Sequence, residues 1–196
     1  MNTPETVRLL GNSICLDFAN SVDWSLEGEP VKDEVLNTPA DLRRWARRVG
    51  LGDSARPDDQ ELARALRLRA VLHHTFAAIA RGREPRPEHL SAIATHHAEA
   101  TAAARIKRTD DGAYALRWPR SDARRTRFAV VADAVALLGD PERVGRLRLC
   151  PGHDCGWVFL DVSGRRRWCS MDTCGSRAKM RRLYERRKRE LQPARR

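Results

Sequence analysis

Four of the five cysteines in this 196-residue chain fall within one 25-residue stretch. They form two C-x4-C pairs, Cys150 with Cys155 and Cys169 with Cys174, separated by thirteen residues. Thiolate sulfur suits a tetrahedral zinc ion, and two such knuckles supply all four ligands. A closed coordination sphere leaves no position for water, so the expected metal is one structural Zn2+. Buried free thiols or a disulfide pair are the alternative. The paired spacing, hydrophilic surroundings and lack of a secretory signal favour zinc. His153 lies between the first two cysteines and is the substitute ligand, in a tighter chelate.

Elements must bring the two pairs together. Leu147-Arg148-Leu149-Cys150 reads as a strand entering the first knuckle, and Trp157-Val158-Phe159-Leu160 as the strand leaving it. Ser163-Gly164 marks a turn, and Arg165-Arg166-Arg167-Trp168 a basic return. Trp157, Phe159 and Trp168 are bulky enough to form a small core around the metal. From Cys174 the chain runs into a terminal helix, with Met180, Leu183, Tyr184 and Leu191 on one face expected to pack on the ribbon. Its remaining surface is rich in arginine and lysine.

The charge follows this division. The chain carries +11 overall. Residues 145–196 hold 15 Lys and Arg against 5 acids, a net of +10, and residues 1–144 hold +1. Four thiolates and one divalent cation take back two charges and leave about +8 on a small module. Guanidinium groups concentrated beside a metal scaffold fit phosphates and guanine edges, and such a helix commonly enters the major groove. The candidate contacts to double-stranded DNA are Arg165, Arg166, Arg167, Arg177, Lys179, Arg181, Arg182 and Arg186. A merely solvated basic helix is the plainer reading, and RNA is the other nucleic acid this surface would serve.

Residues 1–144 read as a mainly helical domain with one small hairpin. Thr38-Pro39-Ala40-Asp41 opens a helix whose face is Leu42, Trp45, Ala46 and Val49, ended by Gly50. A longer helix runs from Pro57 to about Arg81, with Leu62, Leu66, Leu72, His73, Phe76 and Ala77 inward and Arg64, Arg67 and Arg69 on a solvated flank. Further helices span 88–100 and about 123–138. Between them, Asp111-Gly112 signals a hairpin with Tyr114, Leu116 and Trp118 on one packed face. The adjacent pairs His73-His74 and His96-His97 point about 100° apart on a helix and chelate poorly.

Near the start, Ile14, Cys15, Leu16 and Phe18 are expected in the core. Asp17 and Asn20, with Trp24, are the candidates for a ligand pocket; backbone capping is the alternative for the first two. No Gly-rich phosphate loop, nucleophile elbow or paired carboxylates stand out, so an enzyme is not expected. Without a signal peptide or an apolar run of about 20 residues, the expected location is the cytoplasm.

The stretch Arg167-Trp168-Cys169-Ser170-Met171-Asp172-Thr173-Cys174-Gly175-Ser176-Arg177-Ala178-Lys179 resembles the CGNR zinc finger, named for Cys-Gly-Asn-Arg. Cys150 and Cys155-Gly156-Trp157-Val158-Phe159-Leu160-Asp161 fit the same module. Gly11-Asn12-Ser13-Ile14-Cys15-Leu16-Asp17-Phe18-Ala19-Asn20-Ser21, followed by Thr38-Pro39-Ala40-Asp41-Leu42, is similar to the ABATE domain that precedes this finger. The resemblance implies a stress-induced transcriptional regulator with a DNA-binding finger and a ligand-sensing domain. Metal roles would fall to the four cysteines, and basic contacts to Arg167, Arg177 and Lys179. Ser176 replaces the motif's Asn; both are good N-cap residues, so a structural role would survive. A homodimer is expected only by analogy with two-fold operators.

Overall fold

The computed structural model describes residues 3–32, 34–153 and 155–190. Helices α1 (Ile14–Ala19), α2 (Pro39–Arg48), α3 (Asp59–Ala80), α4 (Pro87–Ala103) and α5 (Arg125–Leu138) build the larger part, with a short α6 (Pro141–Gly145) after them. Three antiparallel two-stranded ribbons accompany them: β1 (Asp23–Trp24) with β2 (Pro30–Lys32), β3 (Arg105–Arg108) with β4 (Tyr114–Arg117), and β5 (Leu147–Leu149) with β6 (Val158–Leu160). A single π-helical turn, Met171–Gly175, leads into α7 (Ser176–Glu190).

The helix starts follow local chemistry. Thr38 and Asp41 form a reciprocal capping box ahead of Pro39, and Asp58 accepts from the Glu61 amide at 2.7 Å. Each satisfies amides that the first turn leaves without intrahelical partners. Helix α3 is the axis of the core. Its Leu68, Leu72 and Phe76 are fully buried with Leu16, Phe18, Trp45, Phe128, Val131 and Leu137 from the surrounding helices.

The expected boundary at residue 144 falls inside α6, and the core continues across it. Leu147, Val158 and Leu160 of the last ribbon are buried in the same cluster as α1, α3 and α5. A second cluster joins Val22 and Trp24 to Cys150, Trp157, Phe159, Cys169 and Cys174.

Three expectations need correction. Arg69 is not a solvated flank: its side chain is 6% exposed and donates to both carboxylate oxygens of Glu34, at 2.6 and 2.5 Å, and to Ser21 Oγ. That fork ties the 25–37 segment to α3, a tertiary contact that helical periodicity does not encode. The expected hairpin forms, with Ile106 opposite Leu116 and Arg108 opposite Tyr114. Its apolar face is uncovered, however, with Ile106 74% and Tyr114 71% exposed, because the ribbon has only two strands. Only Trp118 turns inward, donating to the Ala100 carbonyl. The third correction concerns α7. Met180 and Tyr184 do not pack on the ribbon but face solvent, Leu183 alone is half-buried, and Leu191 lies outside the described residues.

Candidate metal centre and basic helix

The β5–β6 ribbon pairs Leu149 with Val158, and Cys150 donates its amide to the Trp157 carbonyl at 2.9 Å. This closes the first knuckle. Gly152 is required there by space: a Cβ would lie 2.9 Å from Cys174 Sγ. Asp161 then shapes the turn, its Oδ1 accepting from Ser163 Oγ and from the Arg166 amide. The irregular return segment 165–168 delivers Cys169, and the π-turn places Cys174.

The four sulfurs lie within 4.8 Å of one another. Cys155 Sγ is 3.7 Å from Cys169 Sγ, which is 3.6 Å from Cys174 Sγ. A tetrahedron with zinc–sulfur bonds of about 2.3 Å has edges of about 3.8 Å, whereas a disulfide needs about 2.05 Å. The spacing therefore fits one tetrahedral zinc and not a disulfide. His153 is exposed and stands outside this group, so the four thiols are the ligand set among the described residues. Hydrogen bonding to neighbouring sulfurs, and then burial, push the Cys155 and Cys169 thiols up, while hydrogen bonds from those neighbours pull Cys150 down. Four adjacent thiolates need a cation; a zinc ion supplies one and holds the knuckles together.

The cluster is seated on the helical part through backbone contacts. Gly156, next to Cys155, donates its amide to the Trp24 carbonyl at 2.9 Å, and its own carbonyl meets His73 Nε2 at 2.7 Å. A carbonyl only accepts, so Nε2 carries the proton. A Cβ on Gly156 would sit 2.4 Å from the Ser25 carbonyl, so only glycine lets these backbones approach. His73 stacks on Trp24 with ring centroids 4.0 Å apart and planes 7° apart. Along β6, the Val158 backbone pairs with the Asn20 amide, Leu160 donates to the Gly11 carbonyl, and Asn12 donates to the Leu160 carbonyl.

The three ligand-pocket candidates belong to this seam. Asn20 is 1% and Trp24 2% exposed, and the Trp24 indole donates to the Ala19 carbonyl. Asp17 accepts from the Gly11 amide, and burial pushes its carboxyl up to about 6. Their polar atoms are used inside the fold. The paired histidines are likewise engaged separately: His74 meets the Gly28 carbonyl, and His96 Nδ1 accepts from Arg127.

Among the basic candidates, Arg165, Arg167, Arg177, Lys179, Arg181, Arg182 and Arg186 are exposed. Arg166 differs. Its guanidinium lies over the Phe159 ring and donates to the carbonyls of Leu10, Trp168 and Cys169, which makes it a brace between the return segment and the N-terminal segment. Ser176 does not act as an N-cap, because the π-turn feeds directly into α7. Its Oγ donates to the Asp172 and Thr173 carbonyls instead. Arg167, Lys179, Arg182 and Arg186 rim a groove of about 500 Å³ floored by Trp168, Met171 and Leu183.

Neither the seam nor the brace is visible in helical or strand periodicity. The available signal was Asn20 itself, an amide able to imitate a peptide group, placed in an otherwise apolar run.

Comparison with known proteins agrees with this geometry. A family model described as "Putative stress-induced transcription regulator" (ABATE) matches residues 12–141, and one described as "CGNR zinc finger" matches residues 146–187. A search of curated proteins finds no match. Among the described residues, no helix is long and apolar enough to cross a membrane. With the first model covering most of the chain and the second enclosing all four clustered cysteines, the chain belongs to the ABATE family and ends in a CGNR zinc finger.

Proposed function

We propose that this is a zinc-dependent transcriptional regulator that binds double-stranded DNA through residues 145–196, with residues 1–144 sensing a signal or dimerising. The observation that carries the reading is α7. It leaves the zinc cluster at Cys174 and presents exposed cations along its described length, with Arg165 and Arg167 beside its root. Its 15 residues extend about 22 Å, enough to follow a major groove. The Arg186–Glu190 pair, 3.8 Å apart and exposed on both sides, is weak enough for phosphate to displace. On this reading the protein works in the cytoplasm.

RNA is the second reading. It needs several aromatic rings open to stacking, yet Trp157 and Phe159 are buried in the seam and Trp168 lies half-buried beneath Arg167, which leaves Tyr184 as the one exposed ring on the basic helix. Duplex DNA is therefore favoured.

The test titrates the zinc-loaded full chain against labelled duplex DNA, single-stranded DNA and duplex RNA across a salt series. Duplex DNA is expected to bind best, with affinity falling steeply between about 50 and 200 mM salt and vanishing on chelation. Preference for RNA or single strands would replace this reading with the second, and binding to none would end it.

A further inference from the structure

Two of the three large apolar side chains of α7, Met180 and Tyr184, stand on a face they share with cations. Met180 is 62% and Tyr184 69% exposed. Residues three, four and seven apart share a helix face, so Tyr184 is bordered by Arg177, Met180, Arg181, Arg187 and Lys188. Every one of these is exposed. The acids Glu185 and Glu190 lie about 100–120° away around the axis. On the opposite side the root of the helix meets the protein, where Gly175 is buried and Ala178 and Leu183 are half-buried, and exposed Lys179, Arg182 and Arg186 border the groove described above. The helix therefore presents an outward strip that is apolar at its centre, cationic at its edges and free of carboxylates.

A solvated basic helix needs no such centre, since a methionine and a tyrosine left in water gain nothing from burial. Phosphates alone would be met by the flanking cations. Arg177, Arg181 and Lys188 lie on one side of the apolar pair and Arg187 on the other; what an apolar patch flanked in this way by phosphate-binding cations meets in a major groove is the base edge, and the apolar group there is the thymine C5-methyl. Building on the duplex-DNA reading above, we infer that Met180 and Tyr184 are the base-contacting centre of α7 and take thymine methyl groups in the major groove. Arg177, Arg181, Arg187 and Lys188 hold the phosphates on either side. Discrimination then comes from the two apolar residues and affinity from the cations.

The experiment enriches sequences from a random-core duplex library with the zinc-loaded full chain. It then compares each enriched duplex with the same duplex carrying deoxyuridine for thymine, position by position. At one or two positions, loss of the methyl should weaken wild-type binding about four-fold, the value of one buried methyl-sized group. In Met180→Ala or Tyr184→Ala that penalty should shrink towards one-fold at its own position, with salt dependence and zinc content unchanged. Lys188→Ala should weaken all duplexes alike and flatten the salt slope. Both apolar residues are exposed, so the variants are expected to fold. Duplex binding with no enriched thymine, or a deoxyuridine penalty that survives both substitutions, would overturn this inference and leave the DNA reading standing. Failure to bind any duplex would remove both.

Discussion

Asn20 pairs with Val158 as a neighbouring strand would. Its Nδ2 donates to the Val158 carbonyl at 2.8 Å, and its Oδ1 accepts from the Val158 amide at 3.1 Å. Both residues are buried, so Asn20→Ala strands a backbone donor and acceptor away from water. The expected loss is about 2–5 kcal/mol by chemical denaturation, accompanied by weaker zinc retention against a chelator. A loss below about 1 kcal/mol would mean that water replaces the amide, and that the seam holds mainly by apolar contact.

Zinc removal should be felt on both sides of that seam. Val22 and Trp24 share a cluster with three of the four ligand cysteines, and Leu147, Val158 and Leu160 sit in the main core. Chelation, or Cys169→Ser, is expected to lower a single unfolding transition, seen together by far-UV ellipticity and by tryptophan fluorescence. Two separate transitions, with the helical signal intact after the finger melts, would instead mark residues 145–196 as an independent unit.

His73 gives stability a pH dependence. Burial pulls its pKa down to about 4, and its Nδ1 is buried without a hydrogen-bond partner. The folded state therefore keeps the ring neutral, while the unfolded chain protonates it near pH 6.5. The contribution is complete above about pH 6.5, is lost as pH falls towards 4, and totals about 3 kcal/mol. Asp17 works in the opposite direction: with its carboxyl raised to about 6, it favours folding as pH falls from 6 towards its unfolded value. The two offset each other in the native chain. Subtracting the pH–stability curve of His73→Gln from that of the wild type isolates the histidine, and a flat difference would show that the ring charges without cost.

Arg127 is the other buried charge on which the fold depends. Its side chain is fully buried and donates to Glu61 through Nε and Nη2, and through Nη1 to Glu99 and His96. Arg127→Ala leaves the Glu61 carboxylate unpaired in the core and should cost about 3–5 kcal/mol. Arg127→Met combined with Glu61→Leu should recover most of that, since the pair's mutual attraction largely repays its own desolvation. If the double variant is no better than the single one, Arg127 matters through Glu99 and His96 instead.

These contacts divide what the sequence made legible from what it did not. The metal site could be read because its chemistry is local: four thiols at fixed spacing have few other uses, and the apolar run Trp157-Val158-Phe159-Leu160 between them marks a buried strand. Helices α2 and α3 could be read because Thr38, Asp58 and Gly50 announce their ends. What stayed hidden was long-range polar pairing. Arg69, Arg127 and Arg166 look like surface arginines in any periodic pattern, and only the tertiary partners Glu34, Glu61 and the Leu10 carbonyl draw them inward. Met180 and Tyr184 misled in the opposite sense, because an apolar spacing predicts packing only where another element arrives to cover it.

Gly156 is the point from which α7 takes its aim. Its amide is held by Trp24 and its carbonyl by His73, one residue from a zinc ligand, while the helix leaves the same cluster just after Cys174. A rigid metal knot turned slightly at this fulcrum would swing the tip of a 15-residue helix much further than the pivot moves. The direction in which the basic strip points is thus written into α3 and the β1 strand, far from any residue that carries its charge.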